Sequence, residues 1–343
     1  MLEIRKPATG SGKGHSLKTT FCAIAILLAS LSGSAGAAPA PGPAAIDQTG
    51  CGSLAASPVP ITKVLTIIVE NTDLDQIVGS PQAPNMNALI GSCGLASDFH
   101  GIQFPSLPNY IALTSGQIPA SIAVDGVKGR DCLPSPSCQS TDPSIFTQIG
   151  ATAGSAQPLS WRTYAESMPE NCEHANVGEY VARHNPAVYY PNDAAACSEL
   201  DVPSGSPASG ALASDLAAGK LPSYSLFIPN LCNDGHDSCN GVPRVVEQDD
   251  TIGAWMPLIL ASPDYQSGHL LVVITADTSQ SAANGNLLAT IMVNPDIPAG
   301  TNATGRFDHY SLLRLDEELL GLPPLANAAT AADMAAAFNL PLP

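Results

Sequence analysis

KVLTIIVEN, residues 63–71, is the stretch on which the fold turns. Six apolar or β-branched residues follow one another without polar alternation, and the run stops at Glu70 and Asn71. A strand of that kind has both faces covered, the usual condition of a central strand in a parallel sheet. HLLVVITAD, residues 269–277, repeats the pattern and again stops at an acid, Asp277. LSWRTYAES, LPSYSLFIPN and LLATIMVNP read as further strands. Helices are predicted between them from APNMNALIGSCG, PNYIALTSG, SIFTQIGATAG, EQDDTIGAWMPLILAS and DHYSLLRLDEELLGLPP. AATAADMAAAFN adds an alanine-rich helix on propensity alone. Strands alternating with helices predict an α/β fold with a mainly parallel central sheet flanked by helices.

The front of the chain reads differently. Arg5, Lys6, Lys13 and Lys18 precede the apolar run FCAIAILLASL, residues 21–31, and small residues follow. That pattern predicts a secretory signal peptide over residues 1–38, then an irregular Pro/Ala/Gly lead-in over 39–60 and a single domain over 61–343. The apolar run has about half of the ~20 residues a membrane span needs, so no stable membrane insertion is expected. The mature protein is expected to be secreted or periplasmic. Cys22 leaves with the signal, and the remaining cysteines are even in number, which in an exported chain predicts disulfides. Cys132 with Cys138 and Cys232 with Cys239 are close enough to close small loops. Cys51 with Cys93 and Cys172 with Cys197 would complete a sequential scheme, although spacing alone leaves other pairings open. Zinc is the weaker reading, because there is no C-x-x-C pair.

The whole chain carries a formal charge of −17. With the basic leader set aside, the mature part is more acidic still. No basic stripe exists to displace counterions, so nucleic acid is excluded as a bulk partner. An anionic substrate would need a local cation to offset this field, and a bound metal ion is the economical source.

The chemistry gathers at three places. Glu70 with Asn71, and Asp277, stop strands more than two hundred positions apart. Parallel strands bring such ends to one edge of a sheet, where ligands bind. Two carboxylates there repel unless a cation lies between them, although each acid could instead cap a strand or helix. The third place is GIQFPSLPNYIALTSG, residues 101–116. Ser106 stands just before a predicted helix that is entered through Pro108 and ended by Gly116. It is either a helix N-cap or a nucleophile at an anion site, where free N–H groups favour a phosphate.

Four blocks, VENTDLDQIVGSPQAPNMNAL, PSLPNYIALTSG, PNLCNDGHDSC and DHYSLLRLDEELLGLP, occur in one order across nearly the whole mature chain. Together they resemble the exported phosphoesterase family that includes bacterial acid phosphatases and phospholipases C, within the alkaline phosphatase superfamily. The resemblance implies one divalent metal ion held by Glu70, Asn71, Ser106 and Asp277, with Ser106 as nucleophile. It implies His236 as the leaving-group or phosphate contact, Asn109 at the substrate phosphate, and Asp234, Asp237 and His309 in the substrate site. The expected substrate is a small phosphate ester or a phospholipid head group.

Two departures stand out. Thr278 occupies the place of the family's second late acid, and Phe104 that of a histidine before Pro105-Ser106. A hydroxyl is a poor ligand for a hard cation. Glu247, Asp249 and Asp250 are candidates to compensate. His100 reads as a local histidine, His174 and His184 carry no assignment, and Trp161 and Trp255 read as core or pocket wall. The leading expectation is a secreted, metal-dependent phosphomonoesterase of the acid phosphatase type. Its alternatives are a phospholipase C-like diesterase and a decayed binding protein on the same fold.

Overall fold

The computed structural model describes residues 49–123 and 129–343. The expected signal peptide and the first part of the lead-in lie outside the described residues. The strands, in chain order, are β1 (Lys63–Val69), β2 (Gly94–His100), β3 (Trp161–Ala165), β4 (Asp201–Pro203), β5 (Tyr224–Ile228), β6 (Leu270–Ala276), β7 (Leu287–Val293), β8 (Thr301–Ala303) and β9 (Phe307–Asp308). They form one sheet in the order β4-β3-β5-β1-β6-β7-β2-β8, with β9 also on β2. β1 pairs in parallel with β5 and β6, and β3 in parallel with β4 and β5. Only β7 runs against its neighbours, β6 and β2. The mainly parallel sheet expected from the sequence is what forms.

Its central strands are buried along their length, β1 except at Lys63. That is why they read as unbroken apolar runs. β2 escaped the sequence reading. Its residues, GLASDFH, mix polar and apolar positions, and Gly94, read as the stop of a helix, opens the strand instead.

The helices are α1 (Leu74–Ile77), α2 (Pro84–Ser92), α3 (Leu107–Ser115), α4 (Ile145–Ala151), α5 (Ala194–Leu200), α6 (Ala211–Ala218), α7 (Arg244–Ala261), α8 (Pro263–Gln266), α9 (His309–Leu319) and α10 (Met334–Ala337). α3 packs with α4 and α9, and α10 joins α9; α2 packs with α7, which also meets α6 and α8. α3 ends as predicted, with Gly116 at φ 70° accepting a left-handed turn that a Cβ would strain. The alanine-rich C-terminal helix does not form as one piece. Asp333 caps Ala336 and restarts the chain, leaving a 3-10 segment and the single turn of α10. No helix among the described residues is long and apolar enough to cross a membrane.

All four sequential disulfides are present: Cys51–Cys93, Cys132–Cys138, Cys172–Cys197 and Cys232–Cys239.

Candidate active site

The carboxyl ends of β1 and β6 meet as adjacent parallel strands, because Val69 pairs with Ala276. The next residues, Glu70 and Asp277, therefore leave the sheet side by side. The Asp277 N–H bonds to Val69 O at 3.1 Å, and the Glu70 N–H to Asp234 O at 2.8 Å. Gln248, from α7, donates to Glu70 O, Asp234 O and the Thr72 hydroxyl, and so ties the end of β1 to the loop after β5. Asn71 turns the chain at φ 39°, a left-handed conformation that Asn tolerates better than most residues. Its backbone N–H reaches Asp277 Oδ1 at 3.3 Å and its side-chain amide donates to Glu70 Oε2 at 2.7 Å.

α3 supplies two hydroxyls to the same carboxylate. Ser106 precedes the first helical residue, but its side chain makes no capping bond. Its Oγ donates to Glu70 Oε2 at 3.0 Å, and Tyr110 Oη donates to Glu70 Oε1 at 2.7 Å. A spacing of four residues puts both on one helix face. The bland reading of Ser106 as a cap therefore fails on geometry. Glu70, Asn71, Ser106 and Asp277 are brought together, as the sequence pattern required.

The other side of Glu70 was not foreseen. His184, from a 3-10 turn, is 1% exposed and stacks on Tyr110 with centroids 5.5 Å apart. Its Nδ1 lies 3.2 Å from Asp234 Oδ2, and its Nε2 lies 3.3 Å from Glu70 Oε1 without making a hydrogen bond. His236 follows, its ring 5.6 Å from that of His184 and its Nδ1 on Asp237 Oδ1 at 2.8 Å. Nothing in the sequence around His184, VARHNPAVYY, marks it. Its place comes from a loop fold that local pattern does not encode.

Three buried carboxylates with no buried cation among them make a costly arrangement. Burial, then the charges of Asp277 and Asp234, push the Glu70 carboxyl well up. Burial is also the main cause for Asp234, which is likewise pushed up, and it raises Asp277 from its ordinary 3.8 to about 7. Burial pushes the His184 imidazole down. Asp277 Oδ2 and His184 Nε2 are both buried without a hydrogen-bond partner. A divalent cation fits this set, since it relieves carboxylate repulsion and satisfies orphaned donor atoms at once. Glu70 is shared by an oxygen group (Asn71, Ser106, Asp277) and a nitrogen group (His184, His236), whose donor atoms lie within 4.8 Å of one another. Cys172, Cys197 and Asp201 also cluster, but the two sulfurs are bonded to each other.

Several expectations need correction. Asn109 was expected at the substrate phosphate, but it is fully buried: Oδ1 accepts from Ile102 and Gln103 N–H, and Nδ2 donates to Gln103 and Pro105 carbonyls. It braces the loop before Ser106. His309 is 1% exposed and its Nε2 bonds to Asp277 O at 2.6 Å, so it braces the end of β6. Asp234 is 1% exposed and holds His184 and the His236 N–H, while Asp237 orients the His236 ring. Thr278 is turned onto Asn286 Oδ1 at 2.8 Å. Neither Glu247 nor Asp249 compensates for it. Asp249 caps α2 through the Asn85 and Met86 N–H groups, Glu247 accepts from Cys239 N–H, and Asp250 is exposed.

The phosphoesterase family profile matches residues 80–323. The chain belongs to the phosphoesterase family. Ser106, His184, Asp234, His236 and Asp277 fall inside the match, and Glu70 and Asn71 just before it. The chain is 27% identical over 331 residues to a phosphate-repressible acid phosphatase of Penicillium chrysogenum, covering 90% of this chain and 72% of that protein. It is 27% identical over 292 residues to a phosphatidylinositol-3-phosphatase of Mycobacterium tuberculosis, covering 84% and 85%. Among solved structures, a protein of the alkaline phosphatase superfamily from Vibrio parahaemolyticus superposes with a TM-score of 0.53 at 11% identity, over 80% of this chain and 71% of that one. The lipoteichoic acid synthase LtaP of Listeria monocytogenes does so with 0.51 at 8% identity, over 82% and 78%. The phosphoesterase is a hydrolase acting on phosphoric ester bonds.

Proposed function

We propose that this phosphoesterase is an exported, metal-dependent phosphomonoesterase of the acid phosphatase type, with Ser106 as nucleophile and residues 61–343 as a single catalytic domain. The observation that carries the reading is the Ser106 hydroxyl, turned from its capping position onto Glu70 among three buried carboxylates. A divalent cation held by Glu70, Asn71, Ser106 and Asp277 would polarise the phosphoryl oxygens and ease ionisation of the hydroxyl. Ser106 Oγ attacks phosphorus, the bond to the alcohol oxygen breaks, and a phosphoserine forms that water then cleaves. His236, its ring fixed by Asp237, delivers a proton to the departing alcohol oxygen from its charged form, with Nε2–H turned to substrate in place of the Arg183 contact. His184 and Asp234 support Glu70 from the other side. Four disulfides support export. A lipid-borne phosphomonoester is the second reading, favoured by the phosphatidylinositol-3-phosphatase likeness.

The test is turnover of p-nitrophenyl phosphate by a Ser106→Ala variant whose circular dichroism and melting match the parent. The rate should fall on the order of 10³-fold or more. Acid-quenched wild-type enzyme should carry a phosphate on Ser106 by mass spectrometry. Undiminished turnover in the variant would end the proposal.

A further inference from the structure

Arg183 precedes the buried His184. Its Nε lies 3.3 Å from Asp131 Oδ2, and its Nη2 donates to His236 Nε2 at 3.3 Å. The side chain is 19% exposed and lines a cavity of about 270 Å³ with Asp131, Cys132, Leu133 and Asn176. Asp131 is fixed in turn. Its Oδ1 accepts the Leu107 N–H at 3.0 Å, the first amide of α3 and the neighbour of Ser106. The segment reaches α3 because Gly129 has no Cβ; one there would meet Pro108 Cγ at 1.9 Å. Asn176 accepts the Ala182 N–H with Oδ1, which leaves its amide N–H groups for a ligand. A second guanidinium, Arg244, holds the His236 carbonyl at 3.2 Å.

The cavity therefore adjoins His236 through Arg183 and the neighbour of Ser106 through Asp131. That places it within reach of an alcohol group carried on phosphorus at Ser106. It offers a carboxylate and an amide, which suit hydroxyl groups, and a guanidinium, which suits an anion. Arg183 stands at the mouth of a site that is otherwise strongly acidic. Its charge is met by Asp131, an anion of the chain itself.

We propose that Arg183 is a specificity-determining residue that selects phosphomonoesters of small polyols bearing a second anionic group, which competes with Asp131 for the guanidinium. The inference rests on the proposed phosphomonoesterase reading and goes beyond it to the alcohol half of the substrate.

Glycerol 3-phosphate and 3-phosphoglycerate test it, because they differ at one carbon, an alcohol in the first and a carboxylate in the second. Wild-type enzyme should favour 3-phosphoglycerate in kcat/KM by about tenfold or more, the scale of a charge-assisted hydrogen bond, with the difference mainly in KM. Arg183→Met should bring the ratio close to one, and Arg183→Lys should restore part of it. A wild-type ratio near one overturns the proposal. So does an Arg183→Met variant that slows both esters equally, since that is the mark of a residue that only positions His236. Vesicles of phosphatidylcholine doped with phosphatidylinositol 3-phosphate separate the sources. Arg183-dependent hydrolysis there assigns the anion to a lipid headgroup, and its absence with the soluble ratio intact assigns it to free polyol phosphates. If wild-type enzyme hydrolyses no ester at all, the phosphomonoesterase reading falls as well; active enzyme without the preference removes only the role of Arg183.

Discussion

Glu70 stands between two regions built in different ways. On one side lie strand ends and a helix: Asp277 after β6, Asn71 after β1, and Ser106 at the start of α3. On the other lie loops: His184 in a 3-10 turn, and Asp234 with His236 in the segment closed by Cys232–Cys239. The first region is held by sheet register and by backbone bonds such as Asp277 N–H to Val69 O. The second is held by side chains, Asp234 on His184 and Asp237 on His236. Register-built geometry is shared by every strand in the sheet, so one substitution changes charge without moving the frame. Loop-built geometry rests on a few bonds, and each substitution there moves a ring as well.

The sharpest probe of the strand side is Asp277→Asn. Activity on p-nitrophenyl phosphate should fall on the order of 10³-fold, since the proposed cation would lose one anionic ligand. Melting should sort the cause. After chelation the variant should be at least as stable as the parent, because one repelling carboxylate is gone, and it should lose most of the rise in Tm on adding back divalent metal. Equal metal-induced shifts in both proteins would place the cation elsewhere.

His184→Asn probes the loop side and should cost less, about 10- to 100-fold in activity, the range for a residue that tunes a metal site without being its main anionic ligand. It should also weaken metal retention in a dialysis series read by elemental analysis. A loss as large as that of Asp277→Asn would erase the distinction between the two regions.

The smallest effect on turnover is expected at Asp201, which is buried with Thr163 and Asn185 away from Glu70. Burial raises its carboxyl from 3.8 to about 7. The folded protein thus keeps a proton that the unfolded chain releases. The resulting stabilisation is full below about pH 4 and is lost as pH rises through about 7. Asp201→Asn, neutral at every pH, should flatten the fall in stability between about pH 4 and 7 by up to a few kcal/mol, leaving activity nearly unchanged. Parallel melting curves for the two proteins would show that Asp201 does not govern the slope.

The same contrast explains what was legible beforehand. Residues 63–71 and 269–277 announce their strands because both faces are covered, and an acid at the end of an apolar run is conspicuous. Pro108 and Gly116 bracket α3 by backbone restriction, so Ser106 could be placed before any coordinates. β2 was hidden by its polar positions, Ser97 and Asp98 among them. His184 was hidden because a histidine in an irregular loop carries no periodic signal. Asn109 misled for a related reason: its neighbourhood matched a substrate-binding pattern, but its amide fits the turn of residues 102–105 so well that none of it remains for a ligand.

The order of the disulfides has a consequence for how the protein is made. Counted from Cys51 onward, the cysteines pair first with second, third with fourth, fifth with sixth and seventh with eighth, with separations of 42, 6, 25 and 7 residues. A chain threaded N-terminus first into an oxidising compartment never has to hold one thiol in reserve while another passes. Indiscriminate oxidation of neighbours as they emerge already yields the native set, and maturation can proceed without a shuffling catalyst.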